Sequence, residues 1–200
     1  MQTNLKKIRV KFATVYYHEV IDGLYESSVN MRNQLMKNLQ RQAAEIEADD
    51  TLDPDDKEQL LSSLDDERYI AHLTTELAGE MMIVALFKTS EISIKEMAIA
   101  SELFTKNQIN KFLKFCEWDV NLKEKLCDIT TLNNYNSYDE LRLINNCIKH
   151  SGKVNKSLAS YPGWIKGNKL DELDMHYHRL KGGVIKFVNE IQDAIIRKIP

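Results

Sequence analysis

Met81-Met82-Ile83-Val84-Ala85-Leu86-Phe87 is the longest apolar run in this chain of 200 residues. The run is too short to span a bilayer. A helix that is apolar all round is normally buried, so we expect this segment at the centre of a globular domain. Only 7 glycines and 3 prolines interrupt the chain, which is too few for the turns of a β-sandwich or barrel. These features predict an all-α fold.

Apolar residues recur at three- and four-residue steps on both sides of this run, which is typical of amphipathic helices. We predict an up-and-down bundle of five or six helices, with the main ones over 12–48, 55–104, 107–117, 120–128, 137–151 and 170–199. The first would be about 50 Å long. Because that exceeds a small domain, we assign residues 1–52 to a packing or dimerisation element and residues 53–200 to the domain.

Local signals mark the ends of several helices. Asp53 and Pro54 are typical of an N-cap and a first helical turn. Gly152 provides a stop signal. The pair Gly182-Gly183 inside the last helix predicts a kink or a close approach of two helices.

Charge is unevenly distributed along the chain, although the net charge is only −3. Residues 51–100 hold 11 acids and 4 bases, whereas residues 141–200 hold 11 bases and 5 acids. The basic part could bind a phosphate backbone, or it could pair with the acidic part within the chain or across a dimer. Three cysteines without CxxC spacing indicate neither a disulfide scaffold nor a zinc site. With no apolar leader at the N-terminus, we expect a cytoplasmic protein without a membrane, metal or cofactor requirement.

The helix over 137–151 has the most unusual face. Ser137 and Glu140 predict a capping box at its start. One side carries five polar residues with no acid among them, namely Arg142, Asn145, Asn146, Lys149 and His150. The opposite side is aliphatic and includes Cys147, which we expect to be a buried thiol. The polar face is either simply solvated or suited to an anion or a partner. His150 in the last turn could donate a proton, and Arg142 could bind a phosphate bidentately, which suits metal-independent cleavage of a phosphodiester.

Two segments, 86–95 and 141–152, resemble the HEPN superfamily of all-helical domains, many of which cleave RNA. The second segment is similar to the family's helix that carries an arginine, a polar residue and a histidine before a glycine-containing turn. It departs from that motif because Asn145 stands where the family has arginine, and Arg142 lies one turn earlier.

The resemblance implies a homodimeric, metal-independent endoribonuclease, used as a toxin or in phage defence and neutralised by an antitoxin-like partner. Two motif helices would face each other across an RNA-binding cleft. The implied catalytic residues are His150 as acid or base, Arg142 stabilising charge and Asn146 orienting the histidine or the phosphate. The implied substrate-binding residues are Asn145, Lys149 and Lys153. Glu91 could face the same site from the preceding long helix, with Lys95, or could form a surface ion pair with Lys95.

Two other interpretations remain open. The first is an inactive helical protein that binds a protein or RNA partner through the face 142–150. The second is an oligomer built on the N-terminal helix, without a site. His176 and His178 point about 200° apart on a helix and cannot share a metal ion. We expect Trp164 to anchor its loop.

Overall fold

A computed structural model describes residues 2–14, 18–113 and 115–200. Within these ranges the chain has no strand, which confirms the predicted all-α class. It has seven α-helices, which we label α1 (Gln2–Phe12), α2 (His18–Ala48), α3 (Pro54–Ser101), α4 (Lys106–Asn110), α5 (Phe115–Lys125), α6 (Tyr135–His150) and α7 (Leu173–Lys198). Short 3-10 turns cover 111–113, 129–131 and 158–160.

The predicted helix over 12–48 is wrong at its N-terminal end. A separate helix, α1, ends at Phe12, and α2 begins at His18. Between them, residues 15–17 lie outside the described ranges. The side chains of Val10 and Ile21 belong to the same hydrophobic core as the later helices. The N-terminal segment is therefore packed onto the main bundle.

Helix α3 is the axis around which α1, α2, α6 and α7 pack. Its start is as predicted. The Asp56 backbone N–H donates to the Asp53 carboxylate at 2.9 Å, and Pro54 occupies the first turn. By length and composition, α3 could cross a membrane, although a core helix passes the same test. In the most apolar stretch of 18 residues of α3, a third is buried inside the protein.

The centre of the core is a group of stacked aromatic rings. Tyr138 of α6 stacks between Phe187 of α7, at 4.6 Å between ring centroids, and Phe87 of α3, at 5.9 Å. Trp118 of α5 meets the Tyr138 ring edge-on at 5.9 Å. The expectation for the run over 81–87 is therefore only partly met: Phe87 is in the core, but the Met81 side chain is 63% exposed.

The start of α6 differs from the predicted capping box. The helix begins at Tyr135, with Asn134 at its N-cap, so Ser137 is already inside the first turn. A Cβ atom added at Gly183 of α7 would lie 2.6 Å from the Ser137 Cβ. The glycine therefore permits a close approach of α6 and α7, as the glycine pair predicted. Glu140 is buried instead of capping the helix.

A compact loop follows α6. Gly152 adopts a φ of 63° and its N–H donates to the Cys147 carbonyl at 2.9 Å, which ends the helix as predicted. Val154 donates to the Asn168 carbonyl, and Gly167 donates back to Val154, both at 2.9 Å. These bonds join the two ends of the loop, as in an Ω-loop.

Candidate functional site

Arg142 is paired with an acid on its own helix. Its Nε and Nη2 atoms donate to Oδ1 of Asp139 at 3.0 and 2.6 Å, and both side chains are largely buried. The Tyr161 hydroxyl donates to the other Asp139 oxygen at 2.8 Å. The five polar residues include no acid, but Asp139, one turn before Arg142, supplies one to this face. The i, i+3 spacing of Asp139 and Arg142 was the signal that could have revealed the pair.

Asn145 does not lie on the open face. Its side chain is fully buried, and its amide nitrogen and oxygen have no hydrogen-bond partner among the protein atoms described. It shares a stripe of α6 with Tyr138 and Lys149, which both interact electrostatically with Glu91 of α3. The amide therefore lies on the side of α6 that faces α3. Its predicted place on the open polar face with Arg142 and His150 is wrong, because the packing of α6 against α3 extends further round the helix than the pattern indicates.

The carboxyl-terminal end of α6 brings two opposite charges together. The Lys149 ammonium lies 5.8 Å from the centroid of the Phe87 ring. Burial raises the pKa of the Glu91 carboxyl to about 7, and the Lys149 charge opposes this shift. Glu91 is half-buried, and no ion pair joins it to Lys95 in the described part of the chain. Glu91 thus faces α6, and its contribution to a functional site stays a prediction.

His150 is exposed and follows Lys149 directly in the last turn of α6. Arg142 lies about 12 Å away along the helix axis, because each residue advances about 1.5 Å. Asn146, one turn before His150, is half-buried. The structure therefore groups His150 with Lys149 and Asn146, while Arg142 is held by Asp139.

The loop after His150 is rich in lysine. Residues 151–170 contain four lysines and no acid. All four are exposed, namely Lys153, Lys156, Lys166 and Lys169. Within the described ranges, only Lys169 has an acidic partner, Glu76, at 3.1 Å. Sequence reasoning singled out Lys153 alone, although the lack of acids over 151–170 is readable without a structure.

Two neighbouring carboxylates fasten this loop. Tyr161 binds Asp139, and the Trp164 indole N–H donates to Glu140 at 2.7 Å. Arg179 of α7 also donates to Glu140, through Nη1 at 3.0 Å and Nη2 at 2.6 Å. Trp164 thus anchors its loop, as expected. The partners of Glu140 are 24 and 39 residues away, so no local pattern indicated them.

Other features lie away from this end of α6. A cavity of about 410 Å³ lies between α2, α3, the end of the lysine-containing loop and the start of α7. Lys169 lines it, but none of the predicted site residues does. In the described ranges no three His, Cys, Asp or Glu side chains are grouped as metal ligands would be. The Cys147 thiol is buried and free, as expected.

Comparison with known proteins gave no match: no family model, curated protein or solved structure is detectably similar to this chain.

Proposed function

We propose that the protein acts on RNA as a metal-independent endoribonuclease. The observation that carries the proposal is the grouping at the end of α6. There Lys149 lies near Glu91, His150 is open to solvent, and a loop with four lysines and no acid follows. The HEPN resemblance supports the same site. It also supports a cytoplasmic toxin or phage-defence setting with an antitoxin-like partner.

The chemistry needs a base and an acid near neutral pH. With a pKa of about 7, the Glu91 carboxylate can remove the proton of a ribose 2′-hydroxyl. The 2′-oxygen then attacks the adjacent phosphorus, and the bond to the 5′-oxygen breaks. His150 gives a proton to that leaving oxygen. The products are a 2′,3′-cyclic phosphate and a 5′-hydroxyl.

The remaining residues bind or position. Lys149 and the loop lysine Lys153 would neutralise phosphate charge. Asn146 would orient His150 or the phosphate. Arg142 is already committed to Asp139, so it would shape α6 instead of contacting RNA.

The test is incubation of the full chain with single-stranded RNA in EDTA, followed by analysis of the product ends. Variants His150→Ala and Glu91→Gln should each slow cleavage by at least about 100-fold. His72→Ala is the matched control, because His72 is an exposed histidine whose side chain is 61% accessible. It lies in the amino-terminal half of α3, whereas Glu91 lies in the carboxyl-terminal half. Equal cleavage by wild type and His150→Ala would reject the enzymatic assignment.

A second function is binding without cleavage. The ion pair of Arg142 with Asp139 favours it, because a closed pair leaves the guanidinium less able to stabilise a transition state. In that case wild-type protein would raise the fluorescence anisotropy of labelled RNA, and Lys149→Ala would weaken this binding. No cyclic phosphate would be formed.

A further inference from the structure

A row of exposed apolar side chains follows the outside of α3. Its members lie three, four or more residues apart, and each is between 41 and 63% exposed: Ile70, Leu73, Leu77, Met81, Ile92 and Ile99. At about 100° per residue, all six fall within an arc of about 100°. Single exposed apolar residues are ordinary on a protein surface, but a contiguous apolar patch usually marks an interaction site.

Charged residues at the two ends of this row have opposite signs. Asp66 lies on the same arc before Ile70, and Lys95 lies on it between Ile92 and Ile99. Asp66 is exposed and Lys95 is half-buried. Lys88, which is exposed, also lies on this arc, 7 residues after Met81. The end of the row before Ile70 is thus acidic, the half after Met81 carries Lys88 and Lys95, and apolar side chains occupy the row from Ile70 to Met81.

Because the charges at its two ends have opposite signs, the row is complementary to a second copy of itself in the antiparallel orientation. If two rows are placed antiparallel with Met81 on a twofold axis, Ile70 comes opposite Ile92, since both are 11 residues from Met81. Asp66 and Lys95, 15 and 14 residues from Met81, then come opposite each other. A parallel arrangement would instead place like charges together.

We propose that two copies of this chain pair through the α3 row in an antiparallel, twofold-symmetric dimer. The contact is isologous, so the pair of Asp66 with the partner subunit's Lys95 occurs twice in the assembly. The inference rests on surface pattern and charge, and does not depend on RNA cleavage.

A membrane is a poorer occupant of the same row. Insertion of α3 would have to remove Met82, Ile83 and Leu86 from the core, where they are at most 4% exposed. Dimerisation leaves the core intact.

The first test measures molar mass of the full chain by sedimentation equilibrium over the micromolar range. Wild type should be dimeric. Leu77→Glu should raise the dissociation constant by at least about 100-fold, because it buries two like charges near the axis. Met175→Glu, at a methionine of α7 that is 60% exposed, is the matched control and should remain dimeric. Circular dichroism of all variants shows whether the fold is kept.

The second test exchanges the terminal charges. Asp66→Lys or Lys95→Asp alone should weaken the dimer by about 10-fold, because two symmetric pairs become repulsive. The double exchange should restore the wild-type dissociation constant to within about 2-fold. This rescue is specific to Asp66 facing Lys95 of a second copy.

Several outcomes would overturn the proposal: a wild-type monomer at every concentration, a dimer that Leu77→Glu leaves unchanged, or a double exchange that does not rescue. Vesicles of phosphatidylcholine and phosphatidylserine provide the membrane comparison. Binding of monomeric wild type to them, lost in Leu77→Glu, would assign the row to a lipid surface instead.

Discussion

Asp139 and Arg142 form a largely enclosed ion pair on α6, with the two side chains only 15 and 20% exposed and Oδ1 lying 2.6 Å from Nη2. The other Asp139 oxygen accepts the Tyr161 hydroxyl. One carboxylate thus fixes both the arginine of the polar face and the loop that follows the helix.

Asp139→Ala should lower the free energy of unfolding by about 2 kcal/mol, because it removes charge-assisted hydrogen bonds from a mostly buried position. Asp65→Ala is the matched control, since Asp65 pairs with Arg68 at the same spacing and 2.7 Å but is 69% exposed. This control substitution should lower the free energy of unfolding by less than about 0.5 kcal/mol. Urea denaturation measures both, and equal losses would contradict the role of burial.

Glu140→Gln should destabilise the protein by about 2 kcal/mol. The amide oxygen can still accept from Trp164, but the charge that holds Arg179 is lost in a side chain that is 6% exposed. Glu45→Gln, which alters an exposed pair with Arg41 at 3.8 Å, should change stability little. Denaturation followed by tryptophan fluorescence compares the two variants. An unchanged stability of Glu140→Gln would disprove the contribution of the pair between Glu140 and Arg179.

Gly183→Ala and Gly182→Ala should have opposite effects. A methyl group at 183 would collide with Ser137, whereas nothing lies within 4 Å of a Cβ at 182. Thermal unfolding should show a loss of about 1–3 kcal/mol for Gly183→Ala and a gain of about 0.5–1 kcal/mol for Gly182→Ala. Ser137→Gly should relieve the first effect. If Gly183→Ala also stabilises, α6 and α7 are not in close contact there.

Stability should fall as the pH rises through the range set by Glu91. Its pKa of about 7 in the folded protein exceeds the ordinary value of 4.5, so the folded state binds more protons between these pH values. The contribution of the protonated carboxyl is complete below about pH 4.5 and is lost as the pH rises to 7 and above.

Glu91→Gln should therefore reduce the decline in urea midpoint between pH 4.5 and 7.5. Glu96→Gln, at an exposed position of the same helix, is the control and should keep the wild-type pH profile. A wild-type slope in Glu91→Gln would show that the carboxyl titrates in its ordinary range.

Two local sequence signals located helix ends correctly, whereas the capping box predicted at Ser137 did not. Asp53 with Pro54 and the positive φ of Gly152 depend only on neighbouring backbone groups, so they are readable from the chain. The periodicity also predicted the all-α class and the long second helix, which runs over 54–101 instead of 55–104.

Contacts between distant residues could not be read in this way. Glu140 seemed suited to a cap, but Trp164 and Arg179 draw it into the interior. Asn145 appeared to be on a polar face, yet the packing of α6 against α3 buries it. The grouping of Glu91 with Lys149 was anticipated only as one of two possibilities, because it depends on how α3 and α6 are placed.

Asp139 and Glu140 are consecutive, and each binds an aromatic residue of the following loop. The loop therefore cannot shift relative to α6 without breaking both attachments at once. Lys156 and Lys166 are therefore carried by a loop that is fixed to the amino-terminal half of α6. A polyanion arriving from solution would meet a preformed array of ammonium groups, and its association kinetics would contain no slow phase of segment ordering.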